Sequence, residues 1–168
     1  MSEKFTISLG VIEAPPGSSA DQLAKVVLER LGLQPKKRGS TEHMHKTLVE
    51  FYERAKHATA KKDQKLAVLT VDEMALFAKI SRQTMYEYLS RWTAIGLIQK
   101  VTYIDDQKKV IIGYKLSGSS LSDAFAKVKS VVAEQLEQTS QYIDALQRSL
   151  KNEKIAEKMR QNRTENSE

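Results

Sequence analysis

The chain has 168 residues, enough for one well-buried domain with extensions and tight for two full cores. Its 27 Lys/Arg against 21 Asp/Glu leave a formal charge of +6, which favours anionic partners, nucleic acid before acidic membrane surfaces. The lack of cysteine excludes disulfides, thiolate nucleophiles and cysteine-containing zinc sites, and no apolar run approaches the ~18 residues a membrane span needs.

Residues 1–39 hold all three prolines and read as an N-terminal arm with a short strand and a small helix. The run from Met1 to Ile12 lacks the apolar core of a secretory signal, so the expected location is cytoplasmic. Phe5, Ile7 and Leu9 alternate with Thr6 and Ser8, a strand pattern ending near Glu13. Pro15-Pro16-Gly17 makes a turn, and Ser18 or Ser19 can cap a helix carrying Leu23, Val26, Val27 and Leu31, stopped at Gly32. Pro35-Lys36-Lys37-Arg38-Gly39 reads as a basic linker, which could also serve as a DNA-contacting arm.

Residues 40–118 carry thirteen Lys/Arg and nine Asp/Glu, or +4 of the total charge. Ser40 or Thr41 can cap a helix with Met44, Leu48, Phe51, Tyr52 and Ala55 on one face. Leu66, Val68 and Val71 suggest a short strand. Thr70 with Glu73 forms a capping box for a helix through Met74, Phe77 and Ala78. Ser81 caps the next helix, whose inner stripe is Met85, Leu89 and Trp92, and Gly96 ends it as a left-handed residue. Leu97–Ile104 and Val110–Leu116, rich in β-branched and aromatic residues, flank the polar stretch 105–109 and read as a β-hairpin.

Residues 119–160 read as one long helix, with Ser119 or Ser120 as cap and Asp123 at the positive end of its dipole. Leu121, Phe125, Val128, Val132, Leu136, Thr139, Ile143, Leu146 and Leu150 recur at a mean spacing near 3.6, a single stripe on a nearly straight helix. The start of the stripe is expected to pack on Met44 and Phe51. The rest needs another partner, and a second copy of the chain is the simplest; packing against the helix near 19–31 is the alternative. The dimerisation residues are thus Val128, Val132, Leu136, Thr139, Ile143, Leu146 and Leu150, with Glu134, Glu137, Asp144, Arg148 and Lys151 flanking the stripe. The polar residues 161–168 are expected to form a disordered tail.

The stretch TVDEMALFAKISRQTMYEYLSRWTAIGLI, from Thr70 to Ile98, resembles the helix-turn-helix of winged-helix transcription regulators. With the preceding helix and the hairpin, the resemblance covers about 75 residues. It implies a mainly α chain with a small β-hairpin (α+β): a winged helix-turn-helix over 40–118, followed by a long, coiled-coil-like helix. Ala75 then sits at the close approach of the two helices and Ile80 in their turn. The plan of winged helix plus dimerising helix is similar in outline to that of replication terminator proteins.

The residues support that reading independently. With Met85, Leu89 and Trp92 inward, the outer face presents Arg82, Gln83, Thr84, Tyr86, Glu87, Ser90 and Arg91 after the cap Ser81. Arg and Gln can contact guanine and adenine edges in two-pronged fashion, and the helix N-terminus favours phosphate. Lys108 and Lys109 can reach a backbone phosphate from the hairpin, although Asp105 and Asp106 beside them would repel it. The expected function is that of a homodimeric, sequence-specific double-stranded DNA-binding regulator, associated with the nucleoid, placing helix 82–95 in the major groove. A DNA architectural, partition or replication protein on the same fold, or a protein-interaction module, are the alternatives. His43 and His45 are two residues apart and do not share a helix face, so no metal site is expected. No phosphate loop, nucleophile elbow or HExxH pattern occurs, so neither a cofactor nor enzymatic activity is expected.

Overall fold

Trp92 and Phe51 are the largest fully buried side chains among the described residues, with ring centroids 6.4 Å apart and planes tilted by 48°. The elements around them follow from where the chain can start and stop a helix. The computed structural model describes residues 6–34 and 43–167. The elements are α1 (Ala20–Arg30), α2 (Met44–Lys61), α3 (Val71–Ala78), α4 (Arg82–Ala94), β1 (Ile98–Ile104), β2 (Val110–Leu116) and α5 (Leu121–Glu165). The protein is mainly helical, with one antiparallel two-stranded hairpin and a long C-terminal helix, an α+β arrangement. It divides into two compact units, residues 1–129 and 130–168.

The first unit is held by its caps. Ser19 accepts from the Gln22 amide at 3.2 Å while Gln22 Oε1 accepts from the Ser19 amide at 2.8 Å, closing a capping box on α1. Thr70 and Glu73 do the same for α3, at 3.3 Å and 2.8 Å. Glu73 also lies 3.5 Å from Arg54 of α2, and Arg54 is bonded to Glu50 at 2.9 Å, so one guanidinium ties α2 to the start of α3. Thr70→Ala removes an orphan-donor partner at this junction. The expected loss is about 1 kcal/mol, read as a lower urea midpoint with an unchanged slope.

Before α3 the fold departs from the sequence expectation in three places. Residues 6–15 form no strand. Instead the Gly10 amide donates to the Arg30 carbonyl at 2.9 Å, and the Arg30 guanidinium donates to the Ile12 carbonyl, fastening the segment to the end of α1. On α1 the buried side chains are Ala24, Leu28 and, just past its end, Leu31, while Leu23 and Val27 face outward. Both sets have helical spacing, and contact with α2 selects between them, so α1 belongs to the core rather than to a loose arm. Ser40 and Thr41, Phe5, and the basic residues Lys36, Lys37 and Arg38 lie outside the described residues; α2 starts at Met44, with His43 at its cap making no side-chain capping bond. The expected strand near Leu66–Val71 is a 3-10 turn over Gln64–Ala67 followed by one bridge, Leu69 to Tyr114, with both backbone bonds at 2.8 Å.

That bridge brings the chain between α2 and α3 against β2, and Gly113 makes room for it. A Cβ at Gly113 would lie 2.3 Å from Val68 Cγ1 and 2.8 Å from the Leu69 carbonyl oxygen. Gly96, at φ 83°, ends α4 in the left-handed region as the sequence implies. The hairpin pairs Ile98 with Leu116 through Ile104 with Val110 in continuous register.

Helix α5 starts with Ser120 accepting from the Asp123 amide at 3.1 Å. The hydroxyls of Ser119 and Ser120 hold the Asp123 carboxyl below its usual range, so this start is strongest above that range and weakens as pH falls through it. Within the first unit α5 buries Ala124 and Val128, both at 1% exposure or less. Leu121 and Phe125, expected to pack inward, are 37% and 42% exposed. The small Ala124 allows close approach and turns the helix so that the bulkier pair faces out. The second unit is helical through Glu165, so residues 161–165 continue the helix past its expected end at 160. Residues 151–163, dense in Lys, Glu, Arg, Gln and Ala, have the propensity to carry it there.

Candidate nucleic-acid interface

Helix α3 ends at Lys79, which takes the left-handed conformation at φ 54°, and the Ile80 amide reaches back to the Ala75 carbonyl at 3.1 Å. Ala75 and Ala78 are both buried, as a close crossing of α3 and α4 requires; Ile80 is half-buried. Ser81 then opens α4, accepting from the Thr84 amide at 3.1 Å and pairing with the Thr84 hydroxyl at 2.8 Å. This hydroxyl pair gives Ser81 and Thr84 a structural task at the turn.

Met85, Leu89 and Trp92 form the inner face of α4, as their spacing implies. Tyr88, which the sequence reading did not assign, is also buried, at 8% exposure. Its ring carries the Arg91 guanidinium at 5.2 Å from the centroid, and Arg91 is half-buried. Arg82, Gln83, Tyr86, Glu87 and Ser90 are exposed on the other side. The Ser90 hydroxyl donates to the Glu87 carbonyl at 2.9 Å.

Arg82 is the most engaged member of the outer face. Its guanidinium lies 3.5 Å from Asp72, donates to the Tyr86 hydroxyl at 3.3 Å, and sits 5.9 Å from the centre of that ring. The Tyr86 bond and then the Asp72 charge raise its pKa above the ordinary arginine value, so it is a permanent cation. An exposed ion pair of this kind adds little stability. What it does is orient: the two contacts hold the guanidinium across the N-terminal end of α4.

A shallow cleft of about 330 Å³ adjoins this point, bounded by Asp72, Arg82, Tyr86, Lys100, Val110 and Tyr114 among others. Lys100 is exposed on β1 opposite Tyr114. Its cationic head adds to Arg82 beside a partly apolar floor. The sequence reading passed over Lys100, although strand alternation from the buried Ile98 puts it on the same hairpin face as Tyr114.

At the hairpin turn, the Asp105 carboxylate accepts from the amides of Gln107 at 2.9 Å and Lys109 at 2.8 Å. Asp105 is therefore a turn-forming residue whose charge is partly met by backbone N–H groups, rather than an acid poised against a phosphate. Lys108, at φ 60°, takes the left-handed position of the turn, and Lys108 and Lys109 are exposed. The same hairpin exposes Ile104, Val110 and Ile112 at 61%, 64% and 51%.

The residues expected at a dimer interface separate into two groups. Val128, 1% exposed, is covered by the chain's own first unit and has no surface left to offer a partner. In the second unit Val132 is half-buried, while Leu136, Ile143, Leu146 and Leu150 are 65%, 52%, 56% and 49% exposed. Thr139 is exposed, with its hydroxyl donating to the Gln135 carbonyl at 2.9 Å. At 100° per residue, Glu134, Glu137, Asp144 and Arg148 fall behind this stripe rather than along its edges. His45 is buried, with Nε2 3.7 Å from Asp21. No helix of the described residues is long and apolar enough to cross a membrane.

No protein-family model, no curated protein and no solved structure matches the chain.

Proposed function

We propose that the protein is a non-enzymatic, winged-helix DNA-binding regulator that inserts α4 in the major groove of double-stranded DNA and dimerises through α5. The observation carrying this reading is the division of α4 into two faces. Met85, Tyr88, Leu89 and Trp92 lock it to the core, while Arg82, Gln83 and Tyr86 stand exposed at its N-terminal end. A helix held rigidly by one face and polar on the other is what groove recognition needs. Lys100, Lys108 and Lys109 place further cations on the adjoining hairpin, where phosphate contacts would fix register rather than read sequence. A chain charge of +6 favours the approach to a polyanion.

The test is fluorescence anisotropy with a mixed-sequence duplex, titrated at several salt concentrations, followed by site selection. Binding that weakens steeply with salt is expected, because each neutralised phosphate releases counterions. On a selected site, Arg82→Ala should weaken binding roughly ten- to hundred-fold and relax the sequence preference, whereas Lys109→Ala should weaken all sequences alike and flatten the salt dependence. A binding curve unchanged by Arg82→Ala would remove α4 from the interface.

A second reading, a protein-interaction module, is favoured by Ile104, Val110 and Ile112, an apolar group on the outward hairpin. It predicts no duplex binding even at low salt, so the same titration separates the two.

A further inference from the structure

The apolar stripe of the second unit has edges unlike those of a common two-helix seam. From Val132 to Leu150 the steps are 4, 3, 4, 3 and 4, a strict heptad. Leu136, Ile143 and Leu150 take its a positions and Val132, Thr139 and Leu146 its d positions. The charges between 130 and 151 are Glu134, Glu137, Asp144, Arg148 and Lys151. All five fall at b or f, the outermost positions of a helical bundle. The e positions are Ala133, Ser140 and Gln147, and the g positions are Gln135, Tyr142 and Ser149, none of them charged.

In a two-stranded coiled coil the e and g residues line the wet edges of the seam and are commonly Glu or Lys. Here those edges are small or neutral, and they include Tyr142, a large aromatic side chain left 77% exposed on the single chain. When each helix has two neighbours instead of one, e and g are buried as well, and uncharged residues there cost far less to bury than Glu or Lys would. The core residues point the same way independently. Leucine predominates at a and β-branched residues at d, a choice that disfavours parallel dimers and favours higher assemblies.

We propose that four copies of the segment 132–150 pack as a four-helix bundle, so that the protein is a tetramer built from two of the dimers proposed above. The occupant of the exposed face is the chain itself, and the inference rests on the self-association reading but not on DNA binding. Thr139 fits such a core, because its hydroxyl is already satisfied by the Gln135 carbonyl.

The experiment is light scattering on the full chain during size-exclusion chromatography, over a wide range of concentration. A mass four times the 19.0 kDa of the chain is expected. A mass of two chains at every concentration overturns the bundle while leaving the dimer, and a mass of one chain overturns both. A second measurement uses Ser140→Glu with Gln147→Lys, which puts charge on the e positions. Such charges stay solvated at the edge of a two-stranded seam and become buried in a bundle. The variant should fall from four chains to two with its far-ultraviolet circular dichroism unchanged. A variant that stays tetrameric would show that these positions are not buried and would overturn the proposed packing.

Discussion

Trp92→Ala will lower the unfolding free energy by about 3–5 kcal/mol, the cost of deleting a large, fully enclosed aromatic side chain. Trp92 is 1% exposed and tilts against Phe51, which is fully buried, so it joins α4 to α2 at the point where the two rings meet. A domain of this size holds roughly 5–15 kcal/mol in total, so the variant should begin to unfold at much lower urea concentration than the parent chain. Leu76→Ala is the matched control. Leu76 is as apolar but 76% exposed on α3, and its replacement should change stability by no more than about 0.5 kcal/mol. Equal effects from the two substitutions would mean that the core is not centred on α2 and α4.

Leu136→Glu combined with Ile143→Glu is expected to reduce the protein to single chains of 19.0 kDa in light scattering. Both side chains are more than half exposed on the isolated chain, so the substitution should leave the first unit folded and its thermal transition in place. In an assembled interface the same two positions are central, and each would bury an unpaired carboxylate, which costs several kcal/mol per ion. The contrast between an unperturbed fold and a lost assembly separates a partner surface from a structural one. Persistent association would move the interface off the stripe.

The parts of the fold that could be read from sequence are those with punctuation. Thr70 with Glu73, Ser81 and Gly96 mark helix ends through hydrogen bonds and backbone conformations that only a few residue types supply, and α3, α4 and the hairpin follow at their expected places. Periodicity alone was less decisive. Leu23 and Val27 share the helical spacing of Ala24 and Leu28, and only the position of α2 selects the buried pair. Leu121 and Phe125 likewise continue the stripe of α5, yet the approach of Ala124 and Val128 turns them outward. The run after Lys65 has β-branched and apolar residues fit for a strand, but Gln64–Ala67 closes as a 3-10 turn and only Leu69 pairs with β2.

The candidate site divides along the same line. The inward stripe Met85, Leu89 and Trp92 of α4 was legible from spacing, but the burial of Tyr88 and the half-burial of Arg91 over it were not. The pairing of Arg82 with Asp72 and Tyr86 was not, because Asp72 lies ten positions earlier in the chain and meets Arg82 only through the α3–α4 turn. The role of Asp105 was legible as a turn residue and misleading as a charge, since its oxygens are engaged by the amides of Gln107 and Lys109.

The engagement of Arg82 turns any anion binding there into an exchange reaction. The guanidinium already faces a carboxylate, so an incoming anion competes with Asp72 for the cation, and its gain is reduced by the small amount that so exposed a pair is worth. A lone small anion has little advantage in that competition. A polyanion that engages Lys100, Lys108 or Lys109 at the same time brings further attraction that Asp72 cannot match. The internal ion pair would thereby tilt the site modestly toward ligands that present a series of charges over those with one.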